Sequence, residues 1–383
     1  MHSSTSSLPM LGIGRAVAER PRPRTPYLRL DVAVAVARYR SLRAILGADV
    51  HYAVKANPHP DLLAALAGEG SCFDVASPQE IASALAAGAV PEQLLYSNPV
   101  KSRSDIASAY AAGVTLFVVD SLPEVRKVAA VAPGSAVLCR LLTSGDGSDW
   151  PLSRKFGCSA TECVEILRTA AGLGLRPAGI SFHVGSQQLR PDAWAPPIAA
   201  AGRIFAELCA DGLRPWLLDL GGGFPADLEE GHPPLEEYGA AIESALATTF
   251  GSRRPRVVIE PGRGVVADAG TLVATVVAVL DRGGARWVFL DVGVFSGLVE
   301  TLEEAIRYRI TTPVPGPAGP AVLAGPTCDS ADVLYEKRPV QMALALAEGD
   351  VVELHACGAY TTCYSTVGFN GFEPLRTELV GRP

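Results

Sequence analysis

The first residue able to do chemistry is a lysine inside an apolar run. Lys55 lies in Ala53-Val54-Lys55-Ala56-Asn57, at the end of a stretch that reads as a strand, where an amine is costly unless it is paired or chemically used. Taken alone, it reads first as a lysine snorkelling out at a strand end. It does not stand alone. Later apolar runs carry Asp74, Arg140, His183 followed by Gly185-Ser186, Asp219 followed by Gly221-Gly222-Gly223, and Glu260 followed by Pro261-Gly262-Arg263. Consecutive glycines let backbone N–H groups approach a phosphate closely, and Gly262-Arg263 with the Ser186 hydroxyl could complete that cradle. By itself the triple glycine also reads as a flexible turn, and His183 as a satisfied core histidine. As a set, an amine, an anion cradle and a carboxylate can hold pyridoxal phosphate. Lys55 would bond the aldehyde as a partly desolvated amine, Glu260 would keep the pyridine nitrogen protonated, and His183 would stack on the ring.

Such residues share a site only if the runs that carry them lie side by side. Eight short apolar runs, at 51–56, 72–76, 94–97, 115–119, 136–142, 179–184, 216–220 and 257–260, can be counted. Helical patterns fall between them at 61–67, 78–87, 105–112, 123–131, 160–173, 193–210 and 235–247. Eight strands with intervening helices predict an α/β fold of the (β/α)8 TIM-like barrel type. Its chemistry sits at the C-terminal strand ends, and its phosphate sites recur after strands seven and eight. A doubly wound open sheet is the competing fold, and the lack of GxGxxG after the first run weighs against it. Beyond residue 263 the texture changes to strand-like runs at 271–280, 286–290, 320–324, 350–354 and 361–364, separated by Gly/Pro/Asp turns. This predicts a second, mainly antiparallel β domain into which the run at 26–30 pairs. The expected division is a cofactor-binding barrel over 30–265 and a C-terminal β domain over 266–383, with residues 11–29 contributing a strand.

The 383 residues carry a net charge of −7, so there is no electrostatic case for nucleic acid or an anionic membrane; a small charged metabolite is the easier partner. Residues 1–10 lack the apolar run of a signal peptide and read as a frayed lead-in. The longest apolar stretch, 271–280, is far below the ~18 residues of a membrane span, which points to a soluble, cytoplasmic protein. Eight cysteines show no CxxC pair and no metal-ligand spacing against the six histidines, so they read as reduced thiols and no metal is expected.

Several segments carry a resemblance over about residues 26 to 375. They are HYAVKANP at 51–58, FDVASPQEI at 73–81, RKFG at 154–157, ISFHVGSQ at 180–187, LDLGGGFP at 218–225, IEPGRGVVADAG at 259–270, GPTCDSADVL at 325–334 and GAYTTCYSTVGFNGF at 358–372. The chain resembles the ornithine/lysine/diaminopimelate decarboxylases, the alanine-racemase-fold (fold type III) pyridoxal phosphate enzymes. Within them, DVGVFSGLVETLEEAIRY at 291–308 together with CDSAD at 328–332 looks closest to the bacterial ornithine/lysine decarboxylases. The resemblance implies Lys55 as the Schiff-base lysine, Asp74 near it, Arg140 on the cofactor's hydroxyl side, His183 on the ring and Glu260 at the ring nitrogen. It implies a phosphate held by Ser186, Gly222, Gly223, Gly262, Arg263 and Tyr360. Cys328 would return a proton to the carbon that lost carboxylate, Asp329 would bind the distal amine, and Phe369 would wall the substrate pocket. It further implies a homodimer in which Cys328 and Asp329 come from the partner subunit. A thiol, with an intrinsic pKa of ~8.5, suits such a proton donor. Without the family, Cys328-Asp329 reads only as a polar turn.

The implied activity is decarboxylation of a basic L-amino acid, most readily L-ornithine to putrescine in polyamine biosynthesis. L-Lysine, meso-diaminopimelate and a modified or carrier-bound amino acid are the alternatives. The acid-rich CDSAD opposes diaminopimelate, whose second carboxylate would want a basic neighbour. Eukaryotic ornithine enzymes place a second acid in an NDG-like strand, where alignment puts Val292 here, with Asp291 the nearest acid. A non-catalytic regulatory homologue could dispense with Lys55, Cys328 or the cradle, yet all are present. Racemases of this fold use an arginine at the ring nitrogen, where this chain has Glu260. The polar loop at 143–150 is expected to form a mobile lid.

Overall fold

The computed structural model describes residues 23–150 and 155–381. The expected lead-in at 1–10, residues 11–22 of the expected first strand and Arg154 of RKFG lie outside the described residues. The described chain enters through β1 (Tyr27–Asp31), whose last residue caps α1 (Val32–Leu46): the Asp31 carboxylate accepts the Ala33 and Val34 N–H groups. Then come β2 (Asp49–Ala53), β3 (Cys72–Val75), β4 (Leu94–Tyr96), β5 (Leu116–Val119) and β6 (Ala136–Arg140). They are followed by β7 (Ser148–Trp150), β8 (Arg176–Ser181), β9 (Ser186–Gln188), β10 (Leu217–Asp219) and β11 (Arg256–Ile259). Eight of these pair in parallel and close as β2-β3-β4-β5-β6-β8-β10-β11, while β7 and β9 form a separate antiparallel ribbon. All eight expected barrel runs are strands, most of them a residue or more shorter than expected.

Around the barrel lie α2 (Pro60–Gly68), α3 (Pro78–Ala86), α4 (Arg103–Ala111), α5 (Leu122–Val131), α6 (Ala160–Gly172), α7 (Ala195–Ala210) and α8 (Leu235–Phe250). Their starts are written locally. Ser77 and Ser159 cap α3 and α6 by accepting the Glu80 and Glu162 N–H groups, and the Glu162 carboxylate accepts Ser159 N–H in return. The pleat sends alternate strand residues inward. Leu95, Val118, Ala136, Leu138, Ala178, Leu217 and Val258 form an inner cluster that plugs the barrel, distinct from the larger core between strands and helices. Each buried leucine or valine among them contributes roughly 1.5–3 kcal/mol. With the lower barrel filled, polar groups collect at the C-terminal strand ends.

After the short α9 (Arg263–Val266) the chain builds a second, mainly antiparallel sheet. Its strands are β12 (Gly270–Arg282), β13 (Ala285–Leu290), β14 (Ile310–Thr311), β15 (Ala318–Ala324), β16 (Val333–Ala343), β17 (Val351–His355) and β18 (Arg376–Val380). The order is β14-β17-β12-β13-β15-β16, and β1 pairs with both β12 and β18, with Leu28 opposite Leu272. The early run therefore does join this sheet. The expected strand at 361–364 is instead a 3-10 turn, Thr362–Tyr364. The reason is that Tyr360, just before it, donates its N–H to the Ala56 carbonyl at the barrel mouth (2.8 Å) rather than to a sheet neighbour. Strand β16 escapes a sequence reading because Glu336-Lys337-Arg338-Pro339 interrupts its apolar pattern. Pairing with β15, Leu323 opposite Tyr335 and Pro320 opposite Gln341, decides it.

Candidate active site

Lys55 stands two residues past β2, in the 3-10 turn Val54–Ala56, so it leaves the strand at the barrel's C-terminal mouth. Its ammonium pairs with Asp74 of β3, a carboxylate buried on the next strand in register with Ala53. Burial alone would lower the Lys55 pKa; the negative charge of Asp74 outweighs it and raises the value. Before any ligand enters, the amine is therefore held as a cation by its partner, and an incoming group must take over that pairing to free it.

Glu260 follows β11 and accepts the Ser97 hydroxyl from the end of β4. Burial, then the nearby carboxyls of Asp219 and Asp74, push its pKa well above the usual carboxylate range. Asp219 is itself pushed up to about 6 by burial, against the hydrogen bond from Gly221 N–H. A buried acid that holds a proton, facing an open cavity, is suited to share it with a ring nitrogen. His183 is pushed the other way. Burial, then the charges of Arg140 and Lys55, lower its pKa well below the ordinary value, so the ring is neutral. Gly185 N–H donates to His183 Nδ1 (3.0 Å), which places the ring proton on Nε2.

Opposite Lys55 the glycine turns form a concave backbone surface. At Gly221, φ is +67° and an added Cβ would lie 2.1 Å from the Phe182 carbonyl oxygen, so only glycine allows β8 and β10 to approach there. At Gly222 a Cβ would meet the Glu260 carbonyl oxygen at 2.7 Å and His183 Nε2 at 3.1 Å, and at Gly262 the Tyr360 hydroxyl at 2.9 Å. Arg263, 2% exposed in its side chain, donates from Nη2 to both Glu300 oxygens (2.7 Å each) and from Nε to Ser186 Oγ (3.2 Å), beneath the Tyr360 ring at 5.1 Å. Its Nη1 is buried and has no partner. An orphaned guanidinium N–H beside a side-chain-free cradle fits a phosphate, which would satisfy it.

These residues line one cavity of about 500 Å³. Lys55, Asp74, Arg140, His183, Ser186, Gly222, Gly223, Glu260, Gly262, Arg263 and Tyr360 all face it, so eleven residues expected from the sequence are brought together. Cys328, Asp329 and Phe369 are not among its lining residues; Cys328 and Asp329 are exposed, and Phe369 packs on Phe295 at 4.7 Å. The loop at 143–150 is tied down along its length: Thr143 donates to the His183 carbonyl (2.5 Å), Gln188 to the Asp146 carbonyl (3.0 Å), and β7 pairs with β9. It thereby brings Trp150 to the cavity wall. Sequence reasoning missed Ser97, Asn98, Trp150, Lys155, Phe156, Glu300 and Tyr364 as lining residues. Ser97 and Asn98 stand at a strand end and carried a usable signal. Glu300 carried none, since it comes from the second domain's chain after β13.

Comparison with known proteins agrees with this geometry. Residues 33–267 match the family described as pyridoxal-dependent decarboxylase, pyridoxal binding domain. The chain belongs to the pyridoxal-dependent decarboxylase family. It is 35% identical over 351 residues to a lysine/ornithine decarboxylase of Selenomonas ruminantium, covering 91% of this chain and 88% of that one. The solved lysine/ornithine decarboxylase of Vibrio vulnificus complexed with cadaverine superposes with a TM-score of 0.85 at 34% identity, covering 94% of this chain and 95% of that one. Antizyme inhibitor 2 of Xenopus laevis is 32% identical over 368 residues, 91% of this chain and 80% of that one. The chain is a pyridoxal phosphate-dependent amino-acid decarboxylase of the type that acts on basic substrates.

One consequence is measurable at the cradle. Arg263→Met should weaken pyridoxal phosphate binding roughly 10- to 100-fold by removing a charge-assisted donor pair. It should also destabilise the fold by about 3–5 kcal/mol, because Glu300 would remain as an uncompensated buried charge. Cofactor titration of the apoenzyme and urea unfolding read the two effects separately. A variant that binds cofactor normally would remove Arg263 from the cradle.

Proposed function

We propose that this decarboxylase converts L-ornithine to putrescine, in the cytoplasm and as a homodimer whose sites are completed across the two-fold axis. Bound pyridoxal phosphate supplies an electron sink for the pair left at Cα when the carboxylate departs. The chain's own residues do the rest. Lys55 would hold the cofactor through its aldehyde, with Asp74 managing the lysine's proton. Glu260 would share a proton with the ring nitrogen, with Arg140 and neutral His183 as further ring contacts. Ser186, Gly222, Gly223, Gly262, Arg263 and Tyr360 would hold the phosphate. We assign the barrel unit to residues 30–265 and the β domain to 266–383.

The observation that carries the substrate reading is an acidic, thiol-bearing loop standing open to solvent. Cys328 N–H donates to Asn370 Oδ1 (3.1 Å), and Asp329 Oδ1 accepts Ala331 N–H (2.9 Å). Both side chains are exposed and lie outside the lining of their own chain's cavity. A partner subunit's site would receive a proton donor for Cα and a carboxylate for a distal ammonium, with Phe369 as apolar wall. Exposed Tyr364, Val367 and Phe372 beside this loop offer the apolar surface such a contact needs. Among the described residues no helix is long and apolar enough to cross a membrane.

Purified enzyme with added pyridoxal phosphate, offered L-ornithine, L-lysine, L-arginine and meso-diaminopimelate separately, should give putrescine as the dominant amine by mass. Cadaverine in equal or greater yield would reassign the substrate to lysine. No decarboxylation product from any of the four, with normal cofactor absorption, would move the substrate to modified or carrier-bound amino acids. The similarity to an antizyme inhibitor makes a non-catalytic role the second reading; retention of Lys55, Asp74 and the orphaned Arg263 donor favours catalysis.

A further inference from the structure

Three cysteines that the cofactor pocket does not use converge behind Arg140. Cys139 lies on β6 one residue before Arg140, so it faces the outer core while Arg140 faces the barrel cavity. Cys158 ends the loop that returns from β7, and Cys163 sits in the first turn of α6. Their sulfurs all lie within 4.8 Å of one another, with Cys139–Cys158 at 3.6 Å and Cys158–Cys163 at 3.5 Å. Cys139 and Cys163 are fully buried and Cys158 is 8% exposed. All three are free thiols.

A single buried cysteine is an ordinary small core residue. Three in mutual contact from a strand, a loop end and a helix are a different arrangement, because their positions are fixed by backbone independent of any ligand. Cys158 N–H donates to the Arg140 carbonyl (3.0 Å), Leu142 N–H donates to the Cys158 carbonyl (2.9 Å), and the Ser159–Glu162 capping box fixes the start of α6. A metal–sulfur bond of ~2.3 Å sets a tetrahedral S···S edge of roughly 3.8 Å, which the two measured separations approach within a few tenths. The Arg140 carbonyl oxygen, which already accepts the Cys158 N–H, lies 3.5 Å from Cys158 Sγ and 4.0 Å from Cys163 Sγ as a further lone pair at the cluster.

We propose that Cys139, Cys158 and Cys163 form a site for one thiophilic d10 cation of the Zn2+, Cd2+ or Cu+ class. Sulfur ligands select such ions over Mg2+ or Ca2+. Binding breaks three S–H bonds, forms three S–metal bonds and releases three protons to solvent; no electron is transferred. Because the site ties Cys158 to β6 next to Arg140, the cation would hold the nearby cavity-lining Lys155 and Phe156 in place beside the barrel.

The test uses reduced, chelator-treated holoenzyme titrated with Cd2+ alone, beside Cys139→Ala, Cys158→Ala and Cys163→Ala. The expected result is one Cd2+ per chain, held at least tenfold tighter than in any of the three variants. Thiolate-to-cadmium charge-transfer absorption of three-sulfur intensity should fall in each variant. A background with Cys209→Ser, Cys328→Ser and Cys363→Ser, which removes the exposed thiols, should keep the tight site. Circular dichroism and bound-cofactor absorption verify folding, and Cys158→Ser replaces any alanine variant that fails that check. Equal Cd2+ binding by wild type and variants, or loss of binding in the exposed-thiol background, would overturn the proposal. So would recovery of a disulfide among the three from unreduced protein that shows no Cd2+ absorption after reduction.

Discussion

Lys55→Ala is expected to lose turnover by about 10⁴-fold or more and to lose the yellow colour of bound cofactor. Two functions vanish together: the covalent tie to the aldehyde, and a positioned group for proton transfer, which alone contributes roughly 10²- to 10⁴-fold. Lys55→Arg should not rescue either. A guanidinium would keep the pairing with Asp74, but it stays protonated and cannot act as a nucleophile. Lys55→Ala also strands Asp74, whose Oδ1 already lacks a partner and whose charge acts on Asp219 and Glu260. Absorption spectra and amine production by mass read the two losses. A yellow, active Lys55→Ala enzyme would exclude this lysine from the chemistry.

Cys328→Ala is expected to keep cofactor binding and colour while slowing or misdirecting protonation at Cα, so that an aldehyde by-product and aminated, inactive cofactor accumulate beside the amine. A general acid of this kind accounts for roughly 10²- to 10⁴-fold in rate. Because Cys328 stands outside its own chain's cavity, mixing the inactive Lys55→Ala with the impaired Cys328→Ala protein makes a sharper prediction. In an isologous dimer each heterodimer carries one site with both defects and one with neither, so random exchange should restore about a quarter of wild-type activity. No recovery after subunit exchange, verified by tagged co-purification, would confine the thiol to its own subunit or remove it from the reaction.

The barrel and most of its site were legible because both follow local rules. Alternating apolar runs and helix patterns specify parallel βα units, and polar residues at the C-terminal ends of those runs converge once the sheet closes. Asp74, Arg140, His183 and Glu260 could therefore be placed on one mouth before any coordinates. The same logic reached β1, whose short apolar run pairs with β12. It failed at residues 361–364, where the pattern of a strand is overridden by docking onto Ala56. Tyr360 there has φ of +54°, a left-handed conformation costing on the order of 1 kcal/mol, held because its N–H is bound at the barrel mouth.

The sequence by itself determined which chain positions become strand ends, and with them the amine, the carboxylates and the glycine cradle, since strand period and turn chemistry are written within a few residues. Only the tertiary structure decided the contacts between distant segments. It set Glu300 against Arg263, carried Cys328 and Asp329 away from their own cavity, and brought Cys139, Cys158 and Cys163 together. No spacing rule foretells those meetings, because they depend on how the closed barrel, the returning loop and the second sheet pack against one another.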